Sequence, residues 1–368
     1  MKRGKLKLWP IVLGAFSLGV LVGFLASKGS EREPERISSE KLEKEEDFSS
    51  SFMERLPARM EELGIGKELV SETDEGVAVV KVADDLSPLV VNLEITRLVN
   101  ELGGKVFRAV EYEDGRVRMD VGTSEGPTDV VLLLPSPGVH RRTGKIAIIV
   151  DDFGYQDDEL VRGFCELPRE VALSVLPFRK RTARIAEELC KSGHEVLLHL
   201  PMEPYKANPG KGAIYVRMSD EEIERRVKEA LSQVPCAVGV DNHMGSKATE
   251  DRRVMRAILK VLRRRGLFFV DSRTSARSVG YEVALEMGVR AAKRTKFLDV
   301  VEKREAIVRT LWELADAAAE KGAAVGICHA KPLTLEVLKE ELPRLEKMGF
   351  SLVPVSQVVS TVRVARGL

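Results

Sequence analysis

The stretch Lys145-Ile-Ala-Ile-Ile-Val-Asp-Asp-Phe-Gly154 constrains this chain more than any other. Its apolar, mostly β-branched run reads as a strand buried on both faces. The strand leads straight into two adjacent carboxylates, Asp151 and Asp152, and then a glycine at which the backbone can turn. In parallel α/β sheets, chemistry gathers outside the carboxyl ends of the strands. An Asp pair delivered there is a candidate metal or acid–base site. The plainer reading is that one Asp caps the next helix, and Asp157 and Asp158 show that such residues are plentiful here.

After residue 145 the pattern repeats. Strand-like runs fall at 146–150, 171–175, 195–200, 237–240, 267–270, 289–291, 323–327 and 351–354, with helical stretches at 182–192, 220–233, 252–266, 303–321 and 333–348 between them. Such alternation predicts a parallel α/β fold, and the number of repeats suits a β/α barrel or distorted barrel over 144–366.

Residues 51–138 read as a small α/β unit. Helices are expected at 52–63 and 86–102, and strands at 76–82, 106–112, 116–121 and 130–134, with the hairpin signal Glu113-Asp114-Gly115. No chemistry is legible in it, so it reads as an accessory or interaction domain. The Pro/Gly segment 135–144 is a boundary, and His140 within it reads as a surface-loop residue. Residues 29–50 are highly charged and read as a solvated linker or an exposed helix.

The first residues predict an address. Lys2, Arg3, Lys5 and Lys7 precede an uncharged run over 8–27, long enough to cross a bilayer. Basic residues on that flank predict a membrane anchor over 1–28, with the remainder on the outer side of the cytoplasmic membrane. A cleaved signal peptide, giving a secreted protein, is the alternative.

Composition narrows the class further. A formal net charge of +1, with 31% of residues charged, argues against nucleic-acid binding. Aromatics at 5% leave room only for a small glycan-stacking platform. The four cysteines contain no CxxC pair and lie in apolar stretches, so they read as buried thiols rather than disulfides or a thiolate zinc site.

Three histidines closely follow predicted strands. His199 follows Val196-Leu197-Leu198, His243 lies in Gly239-Val-Asp-Asn-His-Met-Gly-Ser246, and His329 follows Gly326-Ile-Cys328. Asp241 and Asp271 occupy comparable positions, whereas His194 precedes a strand and reads as structural. Carboxylate plus imidazole is the ligand mix of zinc and other divalent hydrolase sites.

These ordered motifs resemble those of the NodB-type polysaccharide deacetylases. The wording of His199-Leu-Pro-Met-Glu-Pro204, Asp241-Asn-His-Met-Gly-Ser246 and Asp271-Ser-Arg-Thr is most similar to their divergent branch. The resemblance spans about 144–360 and implies Asp151 as general base, Asp152 and His199 as metal ligands and His329 as general acid. Where the ordinary family has a second ligand histidine, four residues after the first, this chain has Glu203. Either Glu203 or His243 therefore completes the metal site, and His243 is favoured. Asp241 or Asp271 would orient His329 or the substrate. Arg273 and Lys331 would hold an anionic group on a glycan, or else form loop salt bridges.

The implied activity is removal of N-acetyl or O-acetyl groups from an extracytoplasmic polysaccharide such as peptidoglycan. It would depend on a divalent metal, with zinc the expected ion, and cell-envelope proteins are further candidate partners. The alternative is a catalytically silent envelope protein that binds glycan or docks a partner in the same cleft. A phospho-acceptor receiver also combines an Asp pair with Lys-Pro. Here, however, Lys331 lies 180 positions after Asp151, farther than a whole receiver domain extends.

Overall fold

Two sheets organise residues 39–141 and 143–360, the part described by the computed structural model. The membrane segment expected at 8–27 lies outside the described residues. Among those residues no helix is long and apolar enough to cross a membrane.

The first sheet belongs to the small domain. Its elements are α1 (Ser39–Glu61), β1 (Val70–Glu72), β2 (Val77–Val82), α2 (Pro88–Glu101), β3 (Lys105–Glu111), β4 (Val117–Thr123) and β5 (Gly126–Pro135). The strand order is β1-β2-β5-β4-β3, and of these pairs only β2–β5 is parallel. Alternate residues Val117, Met119, Val121, Val131 and Leu133 point to one face, where α1 and α2 cover them with Phe52, Leu56, Met60, Ile95 and Leu98. Helix α1 starts within the charged segment. Phe48 is buried there and stacks on Phe52 at 5.9 Å, so a single aromatic anchors a stretch whose other residues look like linker.

The second sheet follows β6 (Lys145–Phe153), α3 (Asp158–Cys165), β7 (Ala172–Val175), α4 (Thr182–Ser192), β8 (Val196–Met202), α5 (Asp220–Ser232), β9 (Gly239–Met244), α6 (Arg252–Arg265), β10 (Phe268–Asp271), α7 (Gly280–Glu286), β11 (Ala291–Lys293), β12 (Lys296–Phe297), α8 (Arg304–Lys321), β13 (Ala323–His329), α9 (Pro332–Lys347) and β14 (Ser351–Leu352). The order is β11-β10-β9-β8-β7-β6-β13-β12, parallel throughout, with β14 beside the start of β6. The edge strands β11 and β12 are consecutive in the chain. Lys293 and Lys296 can be at most roughly 10 Å apart, so the sheet must curl until its edges nearly meet. The result is an incompletely closed β/α barrel.

Parity sorts each strand. Ile146, Ile148 and Val150 face outward against the helices, while Ala147 and Ile149 point inward with Leu197, Val270, Val325 and Ile327. Cysteine usage corrects the sequence reading. Cys190, at the end of α4, is bonded to Cys236, just before β9, and Cys165 is only partly buried. The partners are 46 residues apart with no local motif, so only the fold brings them together.

The small domain packs near the end of α9. Arg141 donates to Asp85 at 2.9 Å, to the Leu63 carbonyl at 3.2 Å and to the Lys347 carbonyl at 3.4 Å. Lys347 in turn reaches the buried Glu94 of α2 at 3.0 Å. This contact lies by the amino ends of the barrel strands, so the opposite end is left to the site.

Candidate active site

Inward parity carries a column of polar residues to the carboxyl end of the barrel. Continuing each inward series reaches Asp151 on β6, His199 on β8, Asp241 and His243 on β9, and His329 on β13. Register completes the arrangement, because His199 pairs with Asp241 and His329 with Asp151 on adjacent strands. Asp152 should face outward by the same rule. Instead the β6–β7 ladder slips between Val150 and Phe153, and Asp152 takes φ 68°. This bulge turns the second carboxylate into the cleft beside the first.

Three donor atoms then converge. His243 Nδ1 lies 3.1 Å from Asp152 Oδ1, His199 Nε2 lies 3.3 Å from the same oxygen, and the two ring nitrogens are 3.1 Å apart. His199 gives its Nδ1 proton to Asp241 Oδ2 at 2.7 Å, which leaves Nε2 as a lone pair facing the cluster. Ser174 donates to the other oxygen of Asp241 and fixes that carboxylate. Asp152 Oδ1 is buried and accepts no hydrogen bond.

This donor set fits a small divalent cation. Around a tetrahedral ion with ligands at about 2.0–2.1 Å, neighbouring donors stand about 3.3–3.4 Å apart, close to the separations seen here. Two imidazoles and a carboxylate, one imidazole being held by a second carboxylate, are also the ligand chemistry that zinc takes. Electrostatics agree. Burial opposes charge on Asp152, yet the neighbouring imidazoles of His199 and His243 hold its pKa far below the usual carboxylate range. Burial likewise opposes a charged His199, but Asp151, Asp241 and Asp152 overcome this and raise its pKa. These carboxylates draw positive charge to the position that Nε2 faces.

Two further groups flank the cluster. Asp151 is buried, with Oδ2 3.7 Å from His199 Nε2 and Oδ1 without a hydrogen-bond partner. Burial and the nearby Asp241 carboxylate push its pKa well up. On the other side, His329 Nε2 stands 3.8 Å from Asp152 Oδ2. Its Nδ1 bonds to Asp299 Oδ1 at 3.0 Å, and its backbone N–H and the Thr334 hydroxyl both donate to Asp299 Oδ2 at 2.9 Å. Burial works against the Asp299 carboxylate, but the His329 and Thr334 hydrogen bonds lower its pKa.

Other residues singled out in the sequence lie elsewhere. Glu203 does not join the cluster: it accepts from the Val216 N–H and from Lys247, each at 2.7 Å, and so ties two loops together. Asp271 does not reach His329. It shares the outward parity of Phe269 and accepts from Ser278, at 2.7 Å, and from the Arg273 and Tyr281 N–H groups. Asp241 orients His199, not His329. Arg273 donates to the Ala276 carbonyl, and Lys331 pairs with Glu302 at 2.8 Å. His194 is buried between the carbonyls of Val171 and Cys165.

Sequence reasoning missed Asp299. The signal was the short apolar Phe297-Leu298 before another strand-end carboxylate, on a strand only two residues long.

Backbone strain marks the same end of the barrel. The non-glycine residues with positive φ among the described residues are Asp152, Phe178, Ala207, Met244 and Arg273. One lies at or beyond the carboxyl end of each strand from β6 to β10. Such conformations cost about 1–3 kcal/mol each and gather where a site over-determines the backbone.

Comparison with known proteins gives the family and the fold. The family model for divergent polysaccharide deacetylases matches residues 148–359. The uncharacterized protein YibQ of Escherichia coli is 36% identical over 236 residues, covering 64% of this chain and 72% of that protein. An uncharacterized protein of Haemophilus influenzae is 35% identical over 202 residues, covering 55% of this chain and 72% of its own length. Among solved structures, an uncharacterized protein of Agrobacterium tumefaciens superposes with a TM-score of 0.56 at 23% identity. That superposition covers 61% of this chain and 92% of the other, and supports the fold.

Proposed function

The chain belongs to the divergent polysaccharide deacetylase family, and on that premise we propose that the cleft removes acetyl groups from amide-linked (or ester-linked) positions of an extracytoplasmic polysaccharide such as peptidoglycan. The observation that carries this reading is the convergence of Asp152, His199 and His243, with Asp151 on one flank and the Asp299-held His329 on the other.

Asp152, His199 and His243 would hold a divalent cation, expected to be zinc, which when bound lowers the pKa of water and polarises a carbonyl. Asp151, whose Oδ1 has no hydrogen-bond partner, takes the proton of the attacking water. The water oxygen bonds to the acyl carbon, and the bond from that carbon to the sugar nitrogen breaks. His329 gives its Nε2 proton to the departing nitrogen while Asp299 holds Nδ1 and steadies the imidazolium. The products are acetate and a free amine.

The Cys190–Cys236 disulfide supports an oxidising compartment, in keeping with the membrane-anchored or secreted address expected from residues 1–28. The test is acetate release from N-acetylated peptidoglycan and chitooligosaccharides by the zinc-loaded protein. Wild type should release acetate, and Asp151→Asn and His329→Ala should each lose on the order of 10²-fold or more with zinc retained. Glycan binding with no acetate from any substrate would move the reading to a silent glycan-binding protein.

A further inference from the structure

Several cations in the loops that follow the barrel strands are already matched. Lys247 pairs with Glu203, Arg277 with Glu250, Lys331 with Glu302 and Arg181 with Asp158. Arg294 has no carboxylate partner among the described residues, but its guanidinium is committed to the carbonyls of Ser272 and Arg273. Arg179 differs. It forms no ion pair among the described residues, its Nη2 makes one long contact of 3.3 Å to the Pro209 carbonyl, and its Nε is buried with no acceptor. A buried guanidinium donor without an acceptor is costly unless something else supplies one.

The surrounding backbone is built to hold this side chain. Phe178, just before it, sits at φ 60°, a strained conformation for a bulky residue. A Cβ at Gly212 would lie 2.3 Å from the Phe178 ring, and one at Gly210 would lie 2.4 Å from the Arg179 guanidinium. The loop after β8 is thus stripped to backbone where Phe178 and Arg179 pass. The guanidinium lies 5.6 Å from the ring of Tyr155, which is 58% exposed beside the Asp pair.

We propose that Arg179 is the anion-recognition residue of the cleft, and that the glycan it takes carries a carboxylate close to the acylated position, with Tyr155 as the adjoining sugar platform. A planar guanidinium matches a carboxylate with two parallel hydrogen bonds, and an exposed ring beside it suits the apolar face of a sugar. The inference rests on the glycan-deacetylase reading and specifies the substrate class of that site.

The experiment uses the zinc-loaded protein and a peptidoglycan-derived tetrasaccharide bearing its lactyl carboxylates, beside the same tetrasaccharide with those carboxylates converted to neutral amides. Calorimetry gives the affinity ratio, and acetate release is followed in the same samples. The acid form should bind about tenfold or more tighter than the amide form. Arg179→Gln should bring the ratio to about one, and Arg179→Lys should restore part of it, with zinc content at the wild-type level in both. Equal affinity for the two glycans, or a preference unchanged in Arg179→Gln, overturns the inference. Acetate release with equal affinities removes the anion site and leaves the deacetylase standing. An Arg179-dependent preference without acetate keeps the anion site and removes the hydrolysis.

Discussion

His199 and Asp241 face each other across adjacent strands with Nδ1 and Oδ2 2.7 Å apart, and this contact sets the direction in which the imidazole lone pair points. Asp241 should therefore control metal affinity without touching the ion. Asp241→Asn is expected to weaken zinc binding by about 10–100-fold, measured by chelator competition. His199→Ala should abolish stoichiometric binding. An Asp241→Asn protein with wild-type affinity would show that the second carboxylate is dispensable.

The third ligand separates Glu203 from His243. With Glu203 committed to Val216 and Lys247, Glu203→Gln should retain about one equivalent of zinc, whereas His243→Ala should lose it. Metal analysis of the two purified variants decides. Loss in Glu203→Gln alone would require the loops around Lys247 to rearrange on metal binding.

Asp299 should act through His329. Asp299→Asn replaces a carboxylate that accepts from Nδ1 and from the Thr334 hydroxyl, so the imidazole loses both its orientation and the countercharge for its protonated form. The expected outcome is a fall in kcat on the order of 10²-fold with zinc content and KM little changed.

The Cys190–Cys236 bond closes a loop of 46 residues around α5 and β8. Cys190→Ser should lower stability by about 4 kcal/mol on the loop-entropy account. Denaturant unfolding with and without a reducing agent measures it, and reduction should have little further effect on the variant.

Acid should loosen the contact between the domains. Burial works against the Glu94 carboxylate, but Lys347 and Arg97 outweigh it and leave its pKa below the usual value. A carboxyl lowered on folding contributes fully above its unfolded pKa of about 4.3, and the contribution is lost as pH falls through the folded value. Lys347→Met should remove about 1–2 kcal/mol at neutral pH, a figure discounted for the partly exposed lysine. Melting curves between pH 3 and 7 should show the variant and wild type converging at the acid end.

Strand-end chemistry was legible because parity is local. The inward positions of β6, β8, β9 and β13 can be counted along the chain, and the residues found there are Asp151, His199, Asp241, His243 and His329. What could not be counted depends on contacts between distant segments. Asp299 follows a two-residue strand that exists only because β13 is beside it. Asp271 sits at a strand end like the others, but on the outward parity, where it serves the turn into α7. The disulfide and the cradle around Arg179 each join segments with no sequence signature of their own.

Strands β11 and β12 end the ladder without pairing with each other, and Ala291 of β11 bonds to Ser360 instead, which makes the barrel a split ring rather than a hoop. A hoop changes diameter only by breaking ladder hydrogen bonds, whereas a split ring can widen at its gap with every ladder intact. Here Asp299 follows β12 on one lip of the gap, while Asp152, His199 and His243 lie on the continuous arc from β6 to β9. His329, on β13, belongs to that same unbroken arc, so only Asp299 stands at a lip, and the gap bears on His329 through its orienting carboxylate alone.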